Sequence, residues 1–300
     1  MISVGNISFG GTGKTPLAME LLAWIRKRGF RPALVTRGYK ARWEKKGGVL
    51  SDGRRLFGTW KDAGDEPFMA ALANPEAGIF IGRDRLASCR KAAEMGFNIA
   101  VLDDGFQHRR LGRSLDIVLY DPGDRAALRE TPAALYRSDV LLIKNKFRFP
   151  ESLKKILNPR HRIFEYRATA RGYLKTNAGG LLPSDALQGK NVMAFCGIAG
   201  PARFFRLLEE LGADLVSRIS FPDHYAYPDR ALHKIEVKCR EAGAAAAVTT
   251  EKDAVKLAGR PWPHDRIPLY VLKIGIDVEA GFYEILAEFL VAHLGKGPIF

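Results

Sequence analysis

The segment Gly10-Gly-Thr-Gly-Lys-Thr15 concentrates residues whose types and spacing suit phosphate chemistry. Glycines at 10, 11 and 13 allow a backbone curl whose N–H groups face inward and cradle phosphate oxygens. Lys14 adds a point charge for the outer phosphates, and the Thr15 hydroxyl is a ligand for Mg²⁺. Gly10, Gly11, Thr12, Gly13, Lys14 and Thr15 are therefore the candidate nucleotide-binding residues. Ser8 stands where the strict phosphate-loop pattern has its first glycine, so the core of the pattern is met and its first position is not. The flanks agree with the motif: Ile2 and Val4 suit a buried strand, and Leu17, Leu21, Leu22 and Ile25 recur at helical spacing from Thr15 to Arg28, with Gly29 as a stop. A helix starting there aims its positive end at the same anion, so the pattern points to a nucleoside triphosphate.

A second acidic feature, Asn98-Ile-Ala-Val-Leu-Asp-Asp-Gly-Phe-Gln-His108, is an apolar strand ending in carboxylates. That is the usual partner of a phosphate loop, because a strand-end carboxylate holds Mg²⁺ or its water ligands beside the loop hydroxyl. Asp103 is the direct candidate, and Asp104 and His108 are placed to line the same cleft. The same Asp-Asp-Gly run also suits a plain polar turn.

Three further places carry chemistry-bearing residues. Asp84, in Gly82-Arg-Asp-Arg85, either caps the helix that follows or acts as a base at a strand end. His224, in Phe221-Pro-Asp-His-Tyr225, has a neighbouring carboxylate that can orient its imidazole. In Leu128-Arg-Glu130, Arg129 can stabilise charge on a transferring phosphoryl group and Glu130 can join a metal shell, although an exposed ion pair would have the same composition. Thr36-Arg-Gly-Tyr39, Gly64-Asp-Glu-Pro67 and Thr250-Glu-Lys-Asp253 read as polar turns with no mechanism of their own.

The elements that must position these residues alternate. Apolar runs at 33–36, 79–81, 98–102, 116–120 and 140–143 are separated by helix-like stretches, including Arg83 to Met95. This predicts an α/β fold with a mostly parallel sheet, P-loop NTPase-like, whose ligands sit at the carboxyl ends of the strands. Ala178-Gly-Gly180 and Pro183-Ser-Asp185 read as turns with hairpin strands on either side. A second α/β unit begins at Asn191-Val-Met-Ala-Phe195, continues through a helix with Phe204, Leu207 and Leu208, and includes a strand at 245–249. The last helix, Glu279 to Leu294, carries Phe282, Ile285, Leu286 and Phe289 on one face.

Composition narrows the partners. Three hundred residues with 47 Lys and Arg against 33 Asp and Glu give a formal charge of +14, which favours an anionic partner. The basic residues are scattered, with no long basic tail and no nucleic-acid motif, so nucleic acid is not the expected partner. Three cysteines without metal-ligand spacing predict free thiols in a reducing compartment. No run reaches the roughly 20 apolar residues of a membrane span, and no signal peptide is evident.

Taken together the motifs resemble the tetraacyldisaccharide 4′-kinases, the lipid A 4′-kinases of Gram-negative bacteria. The resemblance rests on Ser3-Val-Gly-Asn6 with Gly10-Gly-Thr-Gly-Lys-Thr-Pro16, Thr36-Arg-Gly-Tyr39, Gly64-Asp-Glu-Pro67, Asp103-Asp-Gly-Phe-Gln-His108, Leu128-Arg-Glu130, Phe221-Pro-Asp-His-Tyr225 and Thr250-Glu-Lys-Asp253, in the family's order. The family shares the Ser8 departure. The resemblance implies transfer of the ATP γ-phosphate to the 4′-hydroxyl of an acylated glucosamine disaccharide 1-phosphate, with ATP and Mg²⁺ as cofactors. It implies a two-lobed chain: 1–165 a P-loop kinase domain, 166–188 a hairpin linker, and 189–300 a smaller α/β domain whose C-terminal end is placed to pack back on the first. It implies Asp84 and His224 as the pair that takes the hydroxyl proton, Lys14 and Arg129 as catalytic cations, and Thr15, Asp103, Asp104 and Glu130 as the metal-side set. The implied partners are an anionic glycolipid and an anionic membrane surface, with the chain peripheral on the cytoplasmic face of the inner membrane. Two departures stand out. The family has an N-terminal membrane-associating helix, whereas this sequence begins almost on the first strand, which bears on the strength of attachment. The segment before Leu128 also differs from the usual proline- and glycine-containing version. The residues alone leave two alternatives: a P-loop kinase or ligase acting on a soluble small molecule, and a nucleotide-driven nucleic-acid-binding switch.

Overall fold

A computed structural model describes residues 1–9, 11–122, 127–144, 153, 155, 157–158, 160–176, 180–260, 262 and 267–294. In chain order the principal elements are β1 (Ile2–Asn6), α1 (Lys14–Arg26), β2 (Pro32–Thr36), β3 (Gly48–Asp52), α2 (Asp65–Ala73), β4 (Gly78–Ile81), α3 (Arg85–Glu94), β5 (Ile99–Asp103), β6 (Leu115–Tyr120), β7 (Val140–Lys144) and β8 (Arg162–Lys175). There follow β9 (Leu181–Leu182), β10 (Asn191–Cys196), α4 (Pro201–Glu210), β11 (Asp214–Ser220), α5 (Asp229–Glu241), β12 (Ala246–Thr250), β13 (Leu269–Val278) and α6 (Ala280–Leu294). The chain divides into two compact units, one of residues 1–168 and 276–300, the other of residues 169–275.

In the first unit the strand order is β8-β7-β6-β1-β5-β2-β4-β3, parallel throughout except for β3, which runs antiparallel to β4 at the edge. The apolar runs become these strands because both faces are covered: Ile2, Val4, Val101, Leu102, Ile117, Val118, Leu141 and Leu142 are essentially inaccessible to water. α1 lays Leu17, Leu21, Leu22 and Ile25 against the sheet, each fully buried and each worth about 1.5–3 kcal/mol on transfer from water. It ends where expected, with Gly29 in the left-handed region donating its N–H to the Arg26 carbonyl at 2.9 Å. The buried face of α6 is Phe282, Leu286 and Leu290, while Ile285 and Phe289 are only partly covered.

Because β1, β5, β2 and β4 are parallel, the segments that leave their carboxyl ends emerge at one edge of the sheet. Those segments include the glycine loop after β1, Asp103-Asp104 after β5 and Asp84 after β4. The Asp-Asp-Gly turn folds back on β1, with Gly105 N–H donating to the Val4 carbonyl at 3.2 Å. A Cβ at position 5 would stand 2.4 Å from Phe106 Cβ, so the Val-Gly-Asn of β1 needs its glycine for this approach.

The second unit has its own parallel order, β11-β10-β12-β13. Its core is built on Val192, Ala194, Phe195, Ala246 and Val248, with Phe204 and Leu208 of α4 on one side and Leu232, Ile235 and Cys239 of α5 on the other. β8 and β9 form the expected hairpin strands, antiparallel with Tyr173 opposite Leu182; residues 178 and 179 of the predicted turn lie outside the described residues. Among the described residues, no helix is long and apolar enough to cross a membrane.

Candidate nucleotide and phosphoryl-transfer site

The loop after β1 is tied down by side chains from across the first unit. Buried Asn6 donates from Nδ2 to Thr12 Oγ1 at 3.1 Å and to Ser8 Oγ at 3.3 Å. This gives Ser8 a use that a glycine would not have. Tyr166 on β8 donates its hydroxyl to the Thr12 carbonyl at 2.9 Å, and Gln107 Nε2 donates to the Asn6 carbonyl at 2.8 Å. Gly13 sits at φ 93 as the residue before α1, and a Cβ there would lie 2.7 Å from Ile276 Cδ1, so both backbone and space demand glycine. Gly10 lies outside the described residues. The segment 127–129 pairs along the loop: Phe9 N–H donates to the Ala127 carbonyl at 2.9 Å, and Arg129 N–H donates to the Ile7 carbonyl at 2.7 Å. That pairing delivers Arg129 and Glu130 to the loop.

Thr15 Oγ1 donates to Asp103 Oδ2 at 3.0 Å and lies 3.4 Å from Glu66 Oε2. Burial, then the charges of Glu66 and Asp104, push the Asp103 carboxyl up to about 7, against Lys14 and the Thr15 hydroxyl, which pull it down. Its other oxygen, Oδ1, is buried without a hydrogen-bond partner among the described residues. A hydroxyl and two carboxylates with an unused buried lone pair are a hard oxygen set, which fits a divalent cation. Among the described residues no group of three or more His, Cys, Asp or Glu stands in metal-holding geometry. A small hard-oxygen set of this kind suits Mg²⁺, which keeps waters and phosphate oxygens in its shell.

Asp104 adopts a left-handed backbone (φ 56), uncommon for a residue other than glycine. The turn brings its carboxylate 3.6 Å from Lys14 Nζ and 2.6 Å from Arg129 Nη1. Burial would raise this carboxyl, but Lys14 and Arg129 outweigh it and hold it below the ordinary carboxylate value. Arg129 also lies over the Phe9 ring at 5.2 Å. Both Glu130 oxygens accept from the Arg137 guanidinium, at 2.9 and 3.0 Å. Arg85 is buried with the carboxylates as electrostatic neighbours; burial lowers its pKa while Asp103 and Asp104 oppose the shift.

Asp84 is the N-cap of α3, its Oδ1 accepting from Ala87 N–H at 3.0 Å. The cap uses one oxygen and leaves Oδ2 without a hydrogen-bond partner among the described residues, so the two roles expected for Asp84 are compatible. Its negative charge is felt by His108, whose pKa is lowered by burial and by Arg85 and Arg113, with Asp84 opposing. In the second unit His224 has φ 63, its N–H 3.2 Å from the Gly197 carbonyl and 3.0 Å from Asp223 Oδ1. Its Nε2 is 3.6 Å from Asp223 Oδ2, and Lys252 Nζ is 3.3 Å from Asp223 Oδ1.

Sequence reasoning assigned no role to Glu66, Gln107, Tyr166 or Arg137. Glu66 was the most accessible of these, since Gly64-Asp-Glu-Pro67 opens α2 with a carboxylate at its first turn. Gln107 and Tyr166 reach the loop only through long-range pairing, and Arg137 acts on Glu130, seven residues away.

Residues 1–291 match the family described as tetraacyldisaccharide-1-P 4′-kinase. The chain belongs to this family. Tetraacyldisaccharide 4′-kinases similar to this family member include that of Pelobacter propionicus, 36% identical over 272 residues covering 86% of this chain and 74% of the relative. That of Desulfotalea psychrophila is 36% identical over 312 aligned positions, covering 96% and 86%. That of Geobacter metallireducens is 38% identical over 267, covering 86% and 78%. Among solved structures, the "apo" form of LpxK from Aquifex aeolicus in complex with ATP superposes with a TM-score of 0.75 at 28% identity, covering 97% of this chain and 87% of that one. The α/β, mostly parallel P-loop kinase fold expected from the sequence is the fold of this family member.

Proposed function

We propose that this chain transfers the γ-phosphate of ATP to the 4′-hydroxyl of an acylated glucosamine disaccharide 1-phosphate, working as a peripheral protein on the cytoplasmic face of the inner membrane. The observation that carries the proposal is the Thr15–Asp103 bond, which joins the phosphate loop to the strand-end carboxylate in a member of the 4′-kinase family.

In this scheme the loop amides and Lys14 hold the β- and γ-phosphates. Thr15 and Asp103, with Glu66 beside them, hold Mg²⁺, which when bound neutralises charge on the phosphate oxygens. Asp104 keeps Lys14 and Arg129 in place, and Arg129 stabilises charge on the transferring group. Glu130, whose two oxygens accept from Arg137, is assigned to the same shell. Asp84 accepts the hydroxyl proton on Oδ2, the freed oxygen pair attacks the γ-phosphorus in line, and the bond to the β–γ bridging oxygen breaks to release ADP. His224 is assigned the support of that base.

The test is transfer of labelled γ-phosphate to the disaccharide 1-phosphate by the purified protein and two variants. Lys14→Ala is expected to lower kcat on the order of 10²–10³-fold. Asp84→Asn keeps the helix cap, because asparagine caps as well as aspartate. It is expected to lower kcat by roughly 10²–10⁴-fold with the Kd for ATP unchanged. Loss of ATP affinity in step with loss of rate would remove Asp84 from the role of base, and absence of transfer by the unaltered protein would remove the proposal.

A further inference from the structure

Thr12 is gripped at both of its polar ends. Its hydroxyl accepts from Asn6 Nδ2 at 3.1 Å, and its carbonyl accepts from the Tyr166 hydroxyl at 2.9 Å. Thr12 is 7% exposed and Tyr166 2%, so water competes little for the carbonyl bond. The ring that delivers the hydroxyl is itself fixed within the first unit. β8 pairs with β7, Tyr166 standing opposite Lys144, and two residues earlier the Phe164 ring meets Phe282 of α6 edge-on at 6.0 Å.

A trans peptide is planar, with its C=O and N–H pointing in opposite directions. The bond from Tyr166 to the Thr12 carbonyl therefore also sets the Gly13 N–H, which is turned away from the Tyr166 hydroxyl. Gly13 cannot hold that plane by itself, because a residue without Cβ has both signs of φ open to it. On its far side the chain is already committed: the Gly13 carbonyl accepts from Leu17 N–H at 3.0 Å in the first turn of α1. The peptide between Thr12 and Gly13 is thus the joint between a glycine-rich loop and a rigid helix, and β8 supplies the restraint that glycine lacks.

We propose that Tyr166 is a positioning residue for the nucleotide: acting through the Thr12 carbonyl, it holds the Gly13 N–H toward the phosphates of ATP. The inference rests on the phosphotransfer function proposed above. The hydroxyl touches no part of the nucleotide, and its effect falls on the phosphates and not on the nucleoside. It assigns part of the grip on ATP to a residue 154 positions from the loop.

The experiment compares the unaltered protein with two variants. Tyr166→Phe keeps the ring and removes the hydroxyl. Tyr173→Phe removes a buried hydroxyl of the second unit that has no hydrogen-bond partner among the described residues. Melting of each ligand-free protein fixes a temperature at which all three are folded, and there the Kd is measured for ATP, ADP and adenosine, with the KM for the disaccharide 1-phosphate. Tyr166→Phe is expected to raise the Kd for ATP and ADP about three- to tenfold, the scale of one hydrogen bond, and to leave adenosine and the acceptor KM unchanged. Tyr173→Phe should change none of them. Unaltered ATP and ADP affinity in Tyr166→Phe, even with a lowered Tm, makes the bond merely structural and overturns the inference. Equal weakening toward adenosine, a parallel rise in the acceptor KM, or a loss of the same size in Tyr173→Phe overturns it as well. In each of those cases transfer by the unaltered protein leaves the phosphotransfer function standing, whereas an unaltered protein that binds no ATP removes both.

Discussion

Asp103 is 4% exposed and stands beside two other carboxylates, which with its burial push it up to about 7. An unfolded aspartate titrates near 3.9, so the folded, ligand-free protein retains a proton that the unfolded chain has lost. The stability this group contributes is full below about pH 4 and is lost as pH rises through 7. At pH 8 the ionised carboxylate therefore works against folding, and a bound cation or the Lys14 charge must offset it. Asp103→Asn retains an acceptor for the Thr15 hydroxyl and removes the charge. It is expected to raise the Tm of the metal- and nucleotide-free protein by a few degrees at pH 8, at roughly 2–4 °C per kcal/mol, and by less at pH 5. Transfer should fall on the order of 10²–10³-fold in the same variant. Thermal melting at the two pH values, paired with the transfer assay, checks both halves. An equal Tm change at pH 5 and pH 8 would show that the carboxylate's ionisation is not what costs stability.

At the scale of elements, the Thr250-Glu-Lys-Asp253 segment, which read as an unassigned polar turn, anchors the loop that carries His224. Asp253 is inaccessible to solvent, accepts from Gly197 N–H at 2.9 Å and from the Thr250 hydroxyl at 2.7 Å, and pairs with the equally buried Lys256 Nζ at 3.0 Å. Gly197 in turn accepts from the His224 N–H. Removing one partner of a buried ion pair costs about 3–5 kcal/mol. Lys256→Met should destabilise the second unit by that amount, and hydrogen exchange should show faster opening in 197–227 than in β1 and β5. Unchanged protection in that region would mean that the pair does not brace the loop. The case also marks what was legible in the sequence. β2, β4, β5, β6, β7, β10 and β12 fall on the predicted apolar runs within a residue or two, because buried parallel strands are continuous hydrophobic stretches. β3, an antiparallel edge strand with few apolar residues, and β11, which alternates exposed and half-buried positions, carry weaker patterns. The residue types around Thr15 were readable, but their pairing was not. Tyr166 meets Thr12 across 154 residues and Glu66 meets Thr15 across 51, and such contacts leave no periodic trace.

For the whole molecule, the formal charge of +14 is an electrostatic property no single patch explains, since the basic residues are spread along the chain. Anionic leaflets attract basic residues by about 1 kcal/mol for each one close to the surface, over a range set by the Debye length. An acceptor embedded in such a leaflet would thus be met by a protein already concentrated at the membrane. Among the described residues no helix is long and apolar enough to span a bilayer. Co-sedimentation should show binding to vesicles containing anionic phospholipid and little to neutral ones. Binding should weaken several-fold or more between about 0.05 and 0.5 M salt, as the screening length shrinks from roughly 14 to 4 Å. The apparent KM for acceptor presented in anionic vesicles should rise over the same range, while the KM for ATP rises far less. Binding that resists salt, or that does not distinguish the two vesicle types, would assign membrane attachment to apolar insertion instead of charge.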